Sequence, residues 1–359
     1  MPSQLILKLP PGYPYDDLLK IADVLKARDV FVPGYIPGSG KLYEPYSFML
    51  EGWAEKIDTV MLPDRNVVSR IARVAQGEMI DAHMRVAAAT MAFAQCLDIL
   101  IEPSVSFHEL APNHGNSVAL DELSWFRAAD NGVNADWINA ALGRVDRIEP
   151  IPLSQQVDEL DLSKPLSRWR RNYIATLKIA QIELAGGPAL ERVKTLFDWM
   201  YHEFIMAGPA ALLACVYFAP RNPPRQGLLK QLRSSDRERA INGVRNAAWD
   251  ITHLSDFSRH LNEHSNSDRR FILVTFDESL RTIARLVVGT DDRADPTDSL
   301  ACELQQWWPA NDARLISTEL FEYFGRERSP EWFAAQRANP HAIDEFIAKG
   351  ESLLRSWQP

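Results

Sequence analysis

The chain has 359 residues, 46% of them hydrophobic and 24% charged, with 17 Gly and 23 Pro spread along it. That length supports one large core or two average domains, and the composition excludes disordered, collagenous and coiled-coil classes. A formal net charge of -9 excludes an all-over basic coat for indiscriminate nucleic-acid binding.

The N-terminal stretch MPSQLILKLPPGYPYDD lacks a basic start, an apolar core and a small-residue cleavage site, so no secretory signal is expected. Up to residue 56, short apolar runs mixed with Pro and Gly predict a decorated entry segment of strands and loops around a helix near Leu18 to Lys26. DTVMLPD then reads as a buried strand, and Val67, Ile71 and Val74 in NVVSRIARVAQ fall at helical spacing. A longer helix is predicted from about Glu78 to Leu97, DILIEPS returns to strand character, and SVSFHELA opens the next helix. From Asp121 to about Arg225 the chain reads as an inserted helical block, broken at Gly186-Gly187-Pro188 and at Arg221-Asn222-Pro223-Pro224. The uncharged run Phe204 to Pro220 is interrupted by Gly208 and Pro209, so it predicts a buried helix and no membrane span. A helix follows from Asp236 to Leu261, then the polar loop HSNSDRR, the buried strand FILVTFD and the helix ESLRTIARLVV. The tail from Asp298, with Trp307, Trp308, Trp332 and Trp357, predicts amphipathic helices packing on the core. Cys96, Cys215 and Cys302 make neither a disulfide framework nor a CxxC clip, which fits a cytoplasmic location.

Charge is distributed unevenly. Between Lys164 and Arg245 there are 14 Lys and Arg against 6 Asp and Glu, a balance of +8 that leaves -17 on the remainder. The stretch is either a set of solvated helix faces or an electrostatic track for a phosphate backbone.

Three strand-like segments lead into acids: TVMLPD at Asp64, ILIEPSVSFHE at Glu109 and ILVTFD at Asp277. Parallel sheets present their reactive groups at the carboxyl ends of strands, where residues distant in sequence converge. Asp250 is a fourth candidate, set among Ala247, Trp249, Ile251 and Leu254 on a helix with a buried face, where a carboxylate needs a partner or a metal. Oxygen-only ligands suit Mg2+ or Mn2+. Each acid also has a plainer reading. Asp64, Asn66 and Asp277 suit helix starts, Glu109 suits a first turn, and Asp250 suits an exposed face.

This ordered set resembles the PIN-like nucleases. Asp64 and Asn66 match an Asp-x-Asn after the first core strand, Glu109 an acid in the helix after the second, Asp250 a mid-helix Asp, and Thr275 with Asp277 a Thr-x-Asp after a later strand. The resemblance implies a three-layer α/β/α core with a central, mainly parallel sheet, formed by residues 57–118 and 235–297. It leaves 1–56 as decoration, 119–234 as a helical basic insertion and 298–359 as a helical C-terminal extension. It implies a metal-dependent nuclease acting on phosphodiester bonds of RNA or single-stranded nucleic acid, with Asp64, Glu109, Asp250 and Asp277 as metal ligands and catalytic acids and Asn66 and Thr275 in support. Arg65, Arg70, Arg237, Arg239 and Arg245 are candidates for contact with substrate phosphates, and ordinary surface arginines are the competing reading. An antitoxin or defence-system partner and a homo-oligomer are compatible with such kinship. An inactive PIN-like module that binds nucleic acid or protein is the alternative.

Two further motifs compete. HLNEH, from His260 to His264, fits the HxxEH pattern of zinc peptidases with Glu263 as the acid, but no compelling third ligand follows, Glu303 and Glu319 being merely available carboxylates, and an exposed polar helix end is the competing reading. GYIPGSGK, ending at Lys41, has a Tyr where a phosphate loop requires its first Gly and Leu42 where Ser or Thr should follow, so that reading is rejected.

Overall fold

The computed structural model describes residues 8–35, 41–153, 160–221, 227–265, 267–288, 295–326, 328–338 and 341–358. The phosphate-loop-like segment 36–40 and the predicted break at 222–224 lie outside them. The chain divides into two compact units, one formed by Met1–Lys164 with His260–Phe276, the other by Pro165–Arg259 with Asp277–Pro359.

In the first unit the elements are α1 (Tyr15–Arg28), β1 (Phe31–Pro33), α2 (Pro45–Met49, continuing as a wider turn over Leu50–Ala54), β2 (Asp58–Pro63), α3 (Arg65–Ala75), α4 (Ala82–Cys96), β3 (Leu100–Ile101), α5 (Ser104–His114), α6 (Asn116–Asp130), α7 (Asn134–Ala141) and β4 (Arg269–Val274). The sheet order is β1-β4-β2-β3, with β2 parallel to both β3 and β4, and β1 antiparallel to β4. The class is therefore mixed α/β with a small, mostly parallel sheet, as expected in outline. The N-terminal segment is more than decoration: Leu18, Ile21 and Leu25 of α1 are fully buried, and Phe31 of β1 pairs with Val274 of β4.

A continuous buried run, not alternation, marks the central strand. Residues 59–63 of β2 are all buried, the pattern of a central strand covered on both faces. Met61 joins Ile272 and Val274 in the core, together with Val67, Ile71 and Val74 of α3. Burying those side chains supplies about 1.5–3 kcal/mol each. β3 is much shorter than DILIEPS suggested, with Leu100 half exposed at 52% and Pro103 ending the extended run.

The second unit is helical: α8 (Ser167–Ala185), α9 (Ala189–His202), α10 (Gly208–Tyr217), α11 (Arg237–Glu263), α12 (Glu278–Val288), α13 (Pro296–Leu304), α14 (Ala310–Gly325), α15 (Pro330–Ala338) and α16 (Ala342–Ser356). The last four residues of α11 belong to the first unit. As expected of the uncharged run, α10 is buried over Ala210–Tyr217, and Trp308 of the tail donates its indole N–H to the Cys215 carbonyl at 2.8 Å. Among the described residues no helix is long and apolar enough to cross a membrane. At Gly243 a Cβ would come within 1.9 Å of the Lys230 carbonyl oxygen, so only glycine lets that loop cross α11.

Candidate active site at the carboxyl edge of the sheet

The chain runs from β2 outward to β3 and returns to β4 on the other side of β2. The strand order therefore reverses between β2 and β4, and α/β sheets open their ligand crevice at the carboxyl ends flanking such a point. Asp64 follows β2 there, and Thr275 follows β4. Asp64 is 3% exposed and Thr275 is fully buried. The backbone N–H of Asp64 donates to the Val274 carbonyl at 2.9 Å, which holds the two strand ends together.

The side chains complete that tie. The Thr275 hydroxyl donates to Asp64 Oδ2 at 2.5 Å, while the Val67 amide donates to Oδ1 at 2.9 Å. Asp64 is thus the N-cap of α3, as its plainer reading required, and its carboxylate is also fixed by a residue 211 positions away. The Ser106 hydroxyl donates to the Pro63 carbonyl at 3.0 Å, fastening the first turn of α5 to the end of β2. Glu109 lies three residues further along α5, on the same helical face as Ser106, and is half-buried.

The remaining residues fall as follows. Asn66 is exposed, and its backbone carbonyl accepts from Arg70 at 2.8 Å, with the Arg70 guanidinium 5.7 Å from the Phe276 ring centre. Arg65 makes a two-pronged ion pair with Glu122, one prong at 2.8 Å. No sequence signal announced that pairing, since 57 residues separate the two. Asp277 caps α12, its Oδ1 accepting from the amides of Ser279 at 2.8 Å and Leu280 at 3.0 Å.

Asp250 and Asp277 belong to the second unit, Asp64, Glu109 and Thr275 to the first. Asp250 is half-buried on α11 between buried Trp249 and Ile251. Among the described residues of the first unit neither Asp64 nor Glu109 is part of a set of three His, Cys, Asp or Glu side chains with ligand atoms within 4.8 Å of one another.

The arginines of the second unit are largely occupied. Arg237 donates to the carbonyls of Leu354 at 2.8 Å and Ser234 at 2.6 Å and lies 4.8 Å from the Trp357 ring centre. Arg245 pairs with Glu351 at 2.7 Å; burial pulls its pKa down, and the hydrogen bond and charge of Glu351, with Tyr173, more than offset that and leave it above the ordinary value. Arg239 is exposed. Arg168 pairs with Asp256, and Glu183, 2% exposed, takes both Arg192 and Arg233. Much of the +8 balance thus serves ion pairs inside the helical unit, which favours the structural reading of that stretch over a free electrostatic track.

No protein-family model, no curated protein and no solved structure matches the chain.

Proposed function

We propose that the chain is a metal-dependent nuclease that hydrolyses phosphodiester bonds of RNA or single-stranded nucleic acid, on a three-layer PIN-like core. One observation carries this reading: a buried carboxylate, Asp64, stands at the carboxyl edge where strand order reverses, held by Thr275 from the neighbouring parallel strand. Two independent donors orient the carboxylate, which lowers the ordering cost of using it to bind a cation. The donor set is all oxygen, which fits Mg2+ or Mn2+ and disfavours softer ions.

Asp64 would hold the metal together with Glu109 of α5, and Thr275 aims the Asp64 carboxylate by donating to it. The resemblance also counts Asp277 and Asp250 among its acids, and both belong to the second unit. A bound Mg2+ or Mn2+ supplies Lewis acidity at a phosphoryl oxygen and lowers the pKa of water. Of the five candidate arginines, Arg65 and Arg245 are committed to carboxylates, so Arg70, Arg237 and Arg239 are the proposed contacts to phosphates.

The test is incubation of labelled single-stranded RNA with the wild type, Asp64→Asn and Asp250→Asn, in Mn2+ or in EDTA. Cleavage in Mn2+ that EDTA abolishes and Asp64→Asn lowers by about 100-fold or more supports the nuclease. Binding without cleavage by the wild type favours an inactive module and overturns the enzymatic reading.

A further inference from the structure

We propose that His260, Glu263 and His264 form a binding site for a transition-metal ion of the zinc class, distinct from the carboxylate edge. Among the described residues they are the set of three His, Cys, Asp or Glu side chains whose ligand atoms all lie within 4.8 Å of one another. The two histidines sit one helical turn apart at the end of α11, so both rings leave the same face. Tetrahedral zinc with bonds of about 2.0–2.2 Å needs its ligand atoms about 3.3–3.5 Å apart, a gap that small side-chain rotations close.

A second observation shows that the rings are already arranged. Both imidazoles lie against Phe271 of β4, His260 at 4.7 Å between ring centres and 24°, His264 at 5.2 Å and 39°. Their own planes differ by only 17°. An aromatic floor that aligns two imidazoles removes part of the ordering cost of binding. The Ser267 hydroxyl lies 3.4 Å from His264 Nδ1, an outer partner of the kind that fixes ring orientation at metal sites.

A third observation concerns access. The histidines line a cavity of about 370 Å³ whose other walls include Leu100, Arg269 and the acids Glu102 and Asp130. These walls come from the first unit, and from the amino-terminal part of β4, whereas Asp64 and Thr275 occupy the carboxyl edge. Three protein ligands beside a cavity leave a fourth position for a small ligand, the pattern of open zinc sites. Two imidazoles and one carboxylate select zinc-class ions over Mg2+ and Ca2+, so the two centres differ in metal as well as in place.

The probes are Zn2+, titrated against a chromophoric chelator, and Co2+ as its spectroscopic substitute, added to the EDTA-treated full chain. We expect one tight Zn2+ site, and visible Co2+ absorption without the near-ultraviolet thiolate band that exposed Cys302 would produce. His260→Ala and His264→Ala should each weaken binding by at least about 100-fold and Glu263→Gln by about 10-fold, with the circular dichroism spectrum unchanged. Equal Zn2+ affinity in the wild type and the double histidine variant, or a thiolate band with Co2+, would overturn the proposal. Because the wild type's own stoichiometry and Co2+ spectrum are read first, a misfolded variant does not shield the proposal from refutation.

Discussion

At the scale of single residues, Asp64 has the capping role that the sequence offered as its plainer reading and a second tie that the sequence did not announce. It caps α3 through one oxygen and accepts from Thr275 through the other. The acid at the end of an apolar strand was legible from TVMLPD, and Thr275 was legible as part of a Thr-x-Asp pattern. Their bond was not, because the parallel pairing of β2 with β4 joins segments more than 200 residues apart and periodicity carries no register between them. The bond is buried and ends on a carboxylate, the class of hydrogen bond that contributes about 1.5–3 kcal/mol. Thr275→Val keeps the shape and removes the donor, so urea unfolding should show a loss in that range. A change below about 0.5 kcal/mol would mean that the bond adds nothing to stability.

Elements were read best where the apolar pattern is unbroken, as one face of a helix or as a continuous buried strand. The predicted helix over NVVSRIARVAQ matches α3, and FILVTFD matches β4 with its end at Val274. The helix expected from Glu78 starts instead at Ala82, because Asp81 caps it, its carboxylate accepting from the amides of His83 at 2.8 Å and Met84 at 2.7 Å. The Met84 amide is the largest influence holding the Asp81 carboxyl below the ordinary carboxylate range, with His83 adding to it. A depressed pKa makes this stabilisation fully present above the unfolded-state value, about 3.9, and lost as pH falls through the lower folded value. Asp81→Ala should therefore cost about 1 kcal/mol at neutral pH, some 2–4 °C in Tm, whereas Asp81→Asn should cost a few tenths. Calorimetry at pH 7 and again near pH 2 checks both statements, since the deficit of the Ala variant should shrink in acid. β3 was overread because an edge strand needs few residues to pair and its apolar run continues into a turn.

For the molecule as a whole, composition announced a large core but not its division. α1 and the residues following 118 pack with the first unit, and the tail packs with the middle helices, arrangements set by contacts between remote segments. The charge asymmetry was visible, yet its use was hidden: Arg168 meets Asp256 88 residues on, and Arg245 meets Glu351 106 residues on. HxxEH was visible as spacing alone, and what gives it weight is Phe271, brought under both rings after the chain turns at 267–268.

The central claim is that the charge of Asp64, beyond its capping, serves a metal that cleaves phosphodiesters. Two matched substitutions separate these roles, since Asn caps a helix nearly as well as Asp but cannot neutralise a cation. The measurement is the single-turnover rate of Mn2+-dependent cleavage of end-labelled single-stranded RNA by the wild type, Asp64→Asn and Asp81→Asn, each with its Tm. We expect Asp81→Asn to cleave within about twofold of the wild type and Asp64→Asn to lose about 100-fold or more while melting within a few degrees. Equal cleavage by both variants, or no cleavage by a folded wild type in Mn2+, would contradict the account.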